Sequence, residues 1–111
     1  MKEYISELQN ISCPVERTVS LVGNKWSLMI LKQLYYNGGP LRFNQLLKTL
    51  KPVSSKTLSA KLKDLEKFEI VSKEIIPARP PMVQYQLTEK GMEFAEVFAT
   101  MAKWSKKWHG D

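Results

Sequence analysis

Three groups of residues carry side chains whose type and spacing suit chemistry. The densest runs from Ser54 to Lys67, where Ser55, Lys56, Thr57, Ser59, Lys61 and Lys63 crowd ammonium and hydroxyl groups together. Ammonium groups bind phosphates, and hydroxyls reach phosphate oxygens or base edges. The second is Arg79, set in the loop Pro77-Ala78-Arg79-Pro80-Pro81. A stiff loop carries a guanidinium into a narrow, electronegative groove at little entropic cost. The third is Cys13, directly before Pro14. A helix beginning there presents its positive dipole end, which favours an anion, and the thiolate is the reactive form of cysteine. Arg17, one turn on, adds positive charge if its side chain turns back.

These groups point to binding and sensing rather than turnover. No Ser, His and Asp arrangement suggests catalysis, because the one histidine, His109, and Asp111 stand at the end of the chain. Gly38-Gly39 lacks the lysine and serine of a phosphate loop. One cysteine makes no internal disulfide, and one cysteine with one histidine is a poor donor set for zinc. The expectation is a protein that is not an enzyme, with no cofactor and no metal site.

The charge has a partner in view. The chain carries a net +6, and the stretch Arg42 to Lys67 holds seven basic residues against two acidic ones. Nearly all of the excess therefore sits in one block, the electrostatic footprint of a protein that binds a polyanion. A lysine-rich solvated helix face is the competing reading. With 111 residues, 43% of them hydrophobic, the chain has room for one core. No apolar run approaches the roughly 20 residues of a membrane helix. Residues 1 to 7 show no signal-peptide core, so a cytoplasmic location is expected.

The elements that must position these groups follow from periodicity. Ile5, Leu8 and Ile11 lie three apart and form one stripe if the leading segment is helical. A helix from about Pro14 to Val22 places Val15, Val19 and Val22 on one face, and Gly23-Asn24 ends it. Lys25 to Tyr36 reads as a second helix, with Trp26, Met29, Ile30 and Leu34 near the 3.6 period. Asn37-Gly38-Gly39-Pro40 stops it, and a short helix from about Phe43 to Leu50 follows. Ser54-Ser55 opens a fourth helix with serine as N-cap. Its Leu58, Leu62 and Leu65 form a narrow apolar stripe, with Lys56, Ala60, Lys63 and Lys67 opposite.

From Glu69 the period changes. Ile70 to Ile76 is rich in β-branched residues, and Met82 to Leu87 alternates apolar and polar. Together they predict a β-hairpin with a proline-stiffened tip. Thr88 caps a last helix reaching about Trp108, with Phe94, Val97, Phe98, Met101, Trp104 and Trp108 along one stripe. A stripe that broad on a terminal helix marks a partner surface. The fold class expected is mostly α with a β-hairpin wing: a winged helix-turn-helix, whose helix after the tight turn enters the DNA major groove. The chain is read as one domain over 1–111. Residues 1–12 form a leading segment, 40–88 the helix-turn-helix and wing, and 88–108 the terminal helix.

Several stretches resemble the HxlR-type transcriptional regulators, which are MarR-like. Cys13-Pro14-Val15-Glu16-Arg17-Thr18 and Gly23-Asn24-Lys25-Trp26-Ser27-Leu28-Met29-Ile30-Leu31 look like that family's opening. Leu41-Arg42-Phe43-Asn44-Gln45-Leu46 is similar to its entry into the helix-turn-helix, and residues 54–66 to its recognition helix. Pro80 to Gly91 looks like its wing return and the start of its final helix. The resemblance implies a homodimer on a palindromic operator, joined through the leading segment and the last helix. It implies a seam including Ile5, Leu8, Phe98, Met101, Trp104 and Trp108. It also implies that Cys13 stands where some members sense electrophiles or oxidants.

The sequence therefore gives a regulator, read as a repressor, with double-stranded operator DNA and a second copy as partners and no membrane. Candidate DNA contacts are Arg42, Asn44, Gln45, Ser55, Lys56, Thr57, Ser59, Lys61, Lys63 and Arg79. Arg42, Asn44 and Gln45 would hold the backbone beside the start of the supporting helix. The effector would be a small electrophile, oxidant or ligand. Two alternatives stand beside it: a ligand-responsive regulator without a cysteine switch, and a protein-interaction winged helix with a basic face.

Overall fold

The computed structural model describes residues 12–110. The stripe of Ile5, Leu8 and Ile11 lies outside the described residues. The chain order is α1 (Pro14–Val22), α2 (Lys25–Asn37), β1 (Leu41–Arg42), α3 (Phe43–Thr49), α4 (Ser55–Lys67), β2 (Val71–Ile76), β3 (Met82–Leu87), α5 (Glu89–Glu93) and α6 (Ala95–His109).

Local chemistry fixes most boundaries. Asn24 caps α2: its Oδ1 accepts from the Ser27 N–H at 2.9 Å, and its Nδ2 donates to Ser27 Oγ at 3.0 Å. That second bond also satisfies Ser27, the one buried polar side chain among the described residues. Gly38 ends α2 in the left-handed region at φ 73°, where a Cβ would be strained. Ser54 caps α4 by accepting from the Thr57 N–H at 3.1 Å.

The core lies where α2, α3 and α4 meet the sheet. Ile30, Leu31, Leu46, Leu58, Leu62, Leu65 and Val71 are fully buried. The stripe of α4 thus points inward as a unit, and its opposite face is left to solvent. Tyr85 of β3 also joins this core. Burial first, then the nearby Glu66 carboxylate, pushes its phenol above the usual tyrosine pKa. The ring is therefore a neutral core member at ordinary pH.

The hairpin pairs β2 with β3, running Val71 against Leu87 to Ile76 against Met82. Gln84 Nε2 donates to Glu74 Oε1 at 2.8 Å across it. The sheet has a third strand that periodicity does not reveal. β1 pairs antiparallel with β3, Leu41 opposite Tyr85 and Arg42 opposite Gln84. Two residues are too short to show alternation. Their strand character comes from lying against β3 rather than from their own sequence.

Two further differences from the expected elements have local causes. The terminal helix is not continuous, since Phe94 interrupts it between α5 and α6. There the Phe94 N–H bonds to Gly91 O at 3.1 Å and the Val97 N–H to Phe94 O at 3.0 Å, three-residue spacings of a tightened turn. The ring of Phe94 packs on the core and meets Phe98 edge-on at 5.3 Å. On α1, Val22 is buried while Val15 and Val19 stand exposed, so that face does not serve the core of this chain.

The start of the terminal helix is locked to the residues just after α4. Thr88 Oγ1 lies 2.6 Å from Glu69 O and 3.1 Å from Ile70 O, and it accepts from the Gly91 N–H at 3.1 Å. Lys90 Nζ donates to Phe68 O at 2.9 Å. Gly91 itself packs against the Ile70 carbonyl. The run Leu87-Thr88-Glu89-Lys90-Gly91 is thus a fastening between the wing root and the terminal helix.

Candidate nucleic-acid interface

The free face of α4 is cationic. Ser55, Lys56, Ala60 and Lys63 are exposed, opposite the buried Leu58, Leu62 and Leu65. Ser59 and Lys61 are half-buried on its flanks. A side chain of moderate size on such a face can reach into a groove without a large apolar group blocking entry. Thr57 is more committed. Its hydroxyl accepts from Ser54 Oγ at 3.0 Å, which ties it to the helix cap.

Arg42 and Asn44 are exposed at the junction of β1 and α3. Gln45 is exposed too, but its Oε1 accepts from the Arg42 N–H at 2.9 Å. Gln45 therefore caps the start of α3. Arg79 stands exposed at the tip of the hairpin, in an apolar and stiff surround of Ile75, Pro77, Ala78 and Pro81. The structure so gathers the candidates into an α3 start, an α4 face and a wing tip. Asn44 and Ser55 also meet across an open concavity with Leu47, Lys48, Lys51 and Val53. Lys48 and Lys51 belong to the basic block of the sequence but are absent from its candidate contacts.

Cys13 is exposed and is the N-cap residue of α1, in extended conformation, with Pro14 next to it. The Arg17 N–H bonds to Cys13 O at 3.0 Å. Farther along α1, Thr18, Leu21 and Val22 face Ile70, Lys90 and Phe94 across a cavity of about 110 Å³. The helix that starts at Cys13 therefore adjoins the fastening of the terminal helix. On α6, Phe98 is half-buried against the core, while Met101, Trp104 and Trp108 are exposed. No group of three or more potential metal ligands is gathered among the described residues. No helix among them is long and apolar enough to cross a membrane.

A helix-turn-helix followed by a hairpin, with a basic second helix free on one face, defines a winged helix-turn-helix DNA-binding protein. Known proteins agree with that class. The chain belongs to the HxlR-like helix-turn-helix family, whose pattern matches residues 21–111. It is 39% identical over 97 residues to the HTH-type transcriptional regulator YodB of Bacillus subtilis, covering 86% of this chain and 85% of that protein. The solved reduced form of YodB superposes with a TM-score of 0.77 at 37% identity, over 89% of this chain and 96% of that one. The quinone-bound form of YodB gives 0.76 at 36% identity, over 86% and 99%. The redox regulator HypR in its oxidised form gives 0.77 at 30% identity, over 86% and 96%. The chain is thus an HTH-type transcriptional regulator with a MarR-like fold, and these relatives are regulators rather than enzymes.

Proposed function

We propose that the chain binds a palindromic operator as a homodimer and represses from it, with Cys13 as its sensor of oxidants or electrophiles. The observation that carries the DNA reading is the exposed Lys56, Ala60 and Lys63 face of α4, left free by a core that claims Leu58, Leu62 and Leu65. Two such helices enter successive major grooves about 34 Å apart. Lys56 and Lys63 supply phosphate affinity, and Ser55 and Ser59 stand near enough to the helix start to meet base edges. Lys61, Arg42 and Asn44 border this face, while Thr57 and Gln45 contribute first as caps. Arg79 enters the flanking minor groove.

Titrating labelled duplex at several salt concentrations tests this. Lys63→Ala should weaken binding to operator and random DNA alike, by about tenfold, and lower the salt slope by about one. Arg79→Ala should change preference at the operator flanks. Unaltered affinity and slope in both variants would overturn the docking.

The sensing reading rests on an exposed thiol at the start of α1 and on relatives described as redox-regulating or quinone-bound. With one cysteine per chain, oxidation joins Cys13 to its counterpart in the second subunit or to a small thiol, and a quinone alkylates it. Cys13→Ser should retain operator binding within about twofold and lose the response to diamide and quinone. A response that persists in that variant would move sensing to the cavity between α1 and Phe94.

A further inference from the structure

The basic block of the sequence does not end at α4. Asn44, Leu47 and Lys48 lie on one face of α3, and Lys51 continues that face by three residues past Lys48. The turn then brings Ser55 of α4 against the same face. The resulting concavity is open, with a volume of about 430 Å³. Asn44, Lys48, Lys51 and Ser55 on its rim are all exposed, and its apolar lining comes from the buried Val53 and the half-buried Leu47. No carboxylate lines it. A recess edged by one sign of charge over a low-dielectric floor focuses its field outward. In a helix-turn-helix, the helix before the recognition helix crosses the nucleic-acid backbone, so a duplex docked on α4 would bring a sugar–phosphate strand to this recess.

We propose that this corner between α3 and α4 is a seat for one or two DNA backbone phosphates. Lys48 and Lys51 are its cationic ligands, and Asn44 Nδ2 and Ser55 Oγ its neutral donors. Lysine acts as a flexible point charge there, so the seat fixes how deep α4 sits without reading a base. Its occupant is the phosphodiester of double-stranded DNA, the anion that charge complementarity and the position beside α4 both select. This inference rests on the DNA-binding reading and extends it to two residues outside the recognition helix.

The test is anisotropy of labelled operator and random duplexes across a sodium chloride series. Lys48→Ala/Lys51→Ala is compared with Lys103→Ala/Lys106→Ala, a pair of exposed lysines on α6 with the same change in net charge. The Lys48/Lys51 variant should lose affinity for both duplexes by the same factor, about tenfold or more. Its slope of log affinity against log salt should fall by about 1–2. The α6 pair should leave that slope in place. Methylphosphonate at the phosphate facing the corner should weaken the unaltered protein and have no further effect on the Lys48/Lys51 variant. Equal effects of the two lysine pairs would overturn the seat, because general charge would then be the cause. If Lys63→Ala weakens binding while Lys48→Ala/Lys51→Ala leaves affinity and slope intact, the seat falls and the DNA reading stands. Salt-insensitive binding of the unaltered protein, or none, would overturn both.

Discussion

Gly91→Ala should destabilise the chain by about 3 kcal/mol, the upper part of the range for overpacking a tight site. A Cβ at Gly91 would run into the carbonyl oxygen of Ile70, with Leu87 Cδ2 also close at 3.1 Å. The first obstacle is backbone, which cannot rotate away. Relief therefore requires moving α5 off the wing root. That movement would stretch the Thr88 bonds to Glu69 and Ile70 and the Lys90 bond to Phe68. At roughly 4 °C per kcal/mol for a domain near this size, Tm should fall by about 12 °C. Gly39→Ala is the control, because its Cβ would meet nothing closer than Asn37 Nδ2 at 4.0 Å. Its Tm should shift by no more than about 2 °C, in keeping with an ordinary surface change. Equal melting of Gly91→Ala and the unaltered protein would remove the fastening from this account.

The fastening also has a functional side. Phe68, Glu69 and Ile70 follow directly on α4, so the bonds from Thr88 and Lys90 tie the terminal helix to the end of the proposed recognition helix. A rotation between subunits joined at α6 would thus be passed to α4 rather than absorbed by a loose linker. The same residues read in sequence as a common wing-to-helix junction. Their spacing marks a cap at Thr88 but says nothing of what Lys90 and Gly91 touch, since both act on a backbone some 20 residues earlier.

Much of the architecture is legible because periodicity and caps agree. Leu58, Leu62 and Leu65 recur at helical spacing behind a serine cap, and the structure buries all three. The hairpin is legible because β-branched residues and alternation flank a loop with three prolines. What escapes reading is fixed by contacts distant in sequence. β1 exists because Leu41 and Arg42 lie against β3. The turn at Phe94 exists where that ring packs on the core and against Phe98. In the candidate interface, residue type alone does not separate a contact from a cap. Gln45 and Thr57 have the chemistry to bind DNA, yet both spend hydrogen bonds on helix starts. Lys48 and Lys51 escape notice for the opposite reason: each is an ordinary surface lysine until the turn brings Ser55 beside them.

Trp104→Ala/Trp108→Ala should convert the proposed homodimer to a monomer and nearly abolish operator binding. Val97, Met101, Trp104 and Trp108 recur at spacings of four, three and four along α6, the heptad pattern of a helix seam. The core does not use them: Trp104 is 62% and Trp108 65% exposed, whereas Phe94 and Phe98, about two to four turns earlier, pack inward. Both rings lie on solvent in the single chain, so their removal should leave its fold nearly unchanged, and Tm should fall only by what the lost partner contributed. In a two-fold interface each substitution counts twice. At about 2 kcal/mol or more per buried tryptophan anchor, the pair of changes removes on the order of 8 kcal/mol from association, enough to dissociate a nanomolar dimer at micromolar concentration. Losing the second half-site then removes the avidity of two linked recognition helices, about 10²- to 10⁴-fold in operator affinity. The salt slope should fall to about half, because a monomer neutralises half of the phosphates and so displaces half of the counterions. Sedimentation velocity and duplex titration on the same sample read both quantities. A variant that remains dimeric would place the seam elsewhere, with the exposed Val15 and Val19 face of α1 as the next surface to alter. A monomer that keeps full operator affinity would show instead that one recognition helix and one wing suffice, and the palindromic half of the proposal would fall.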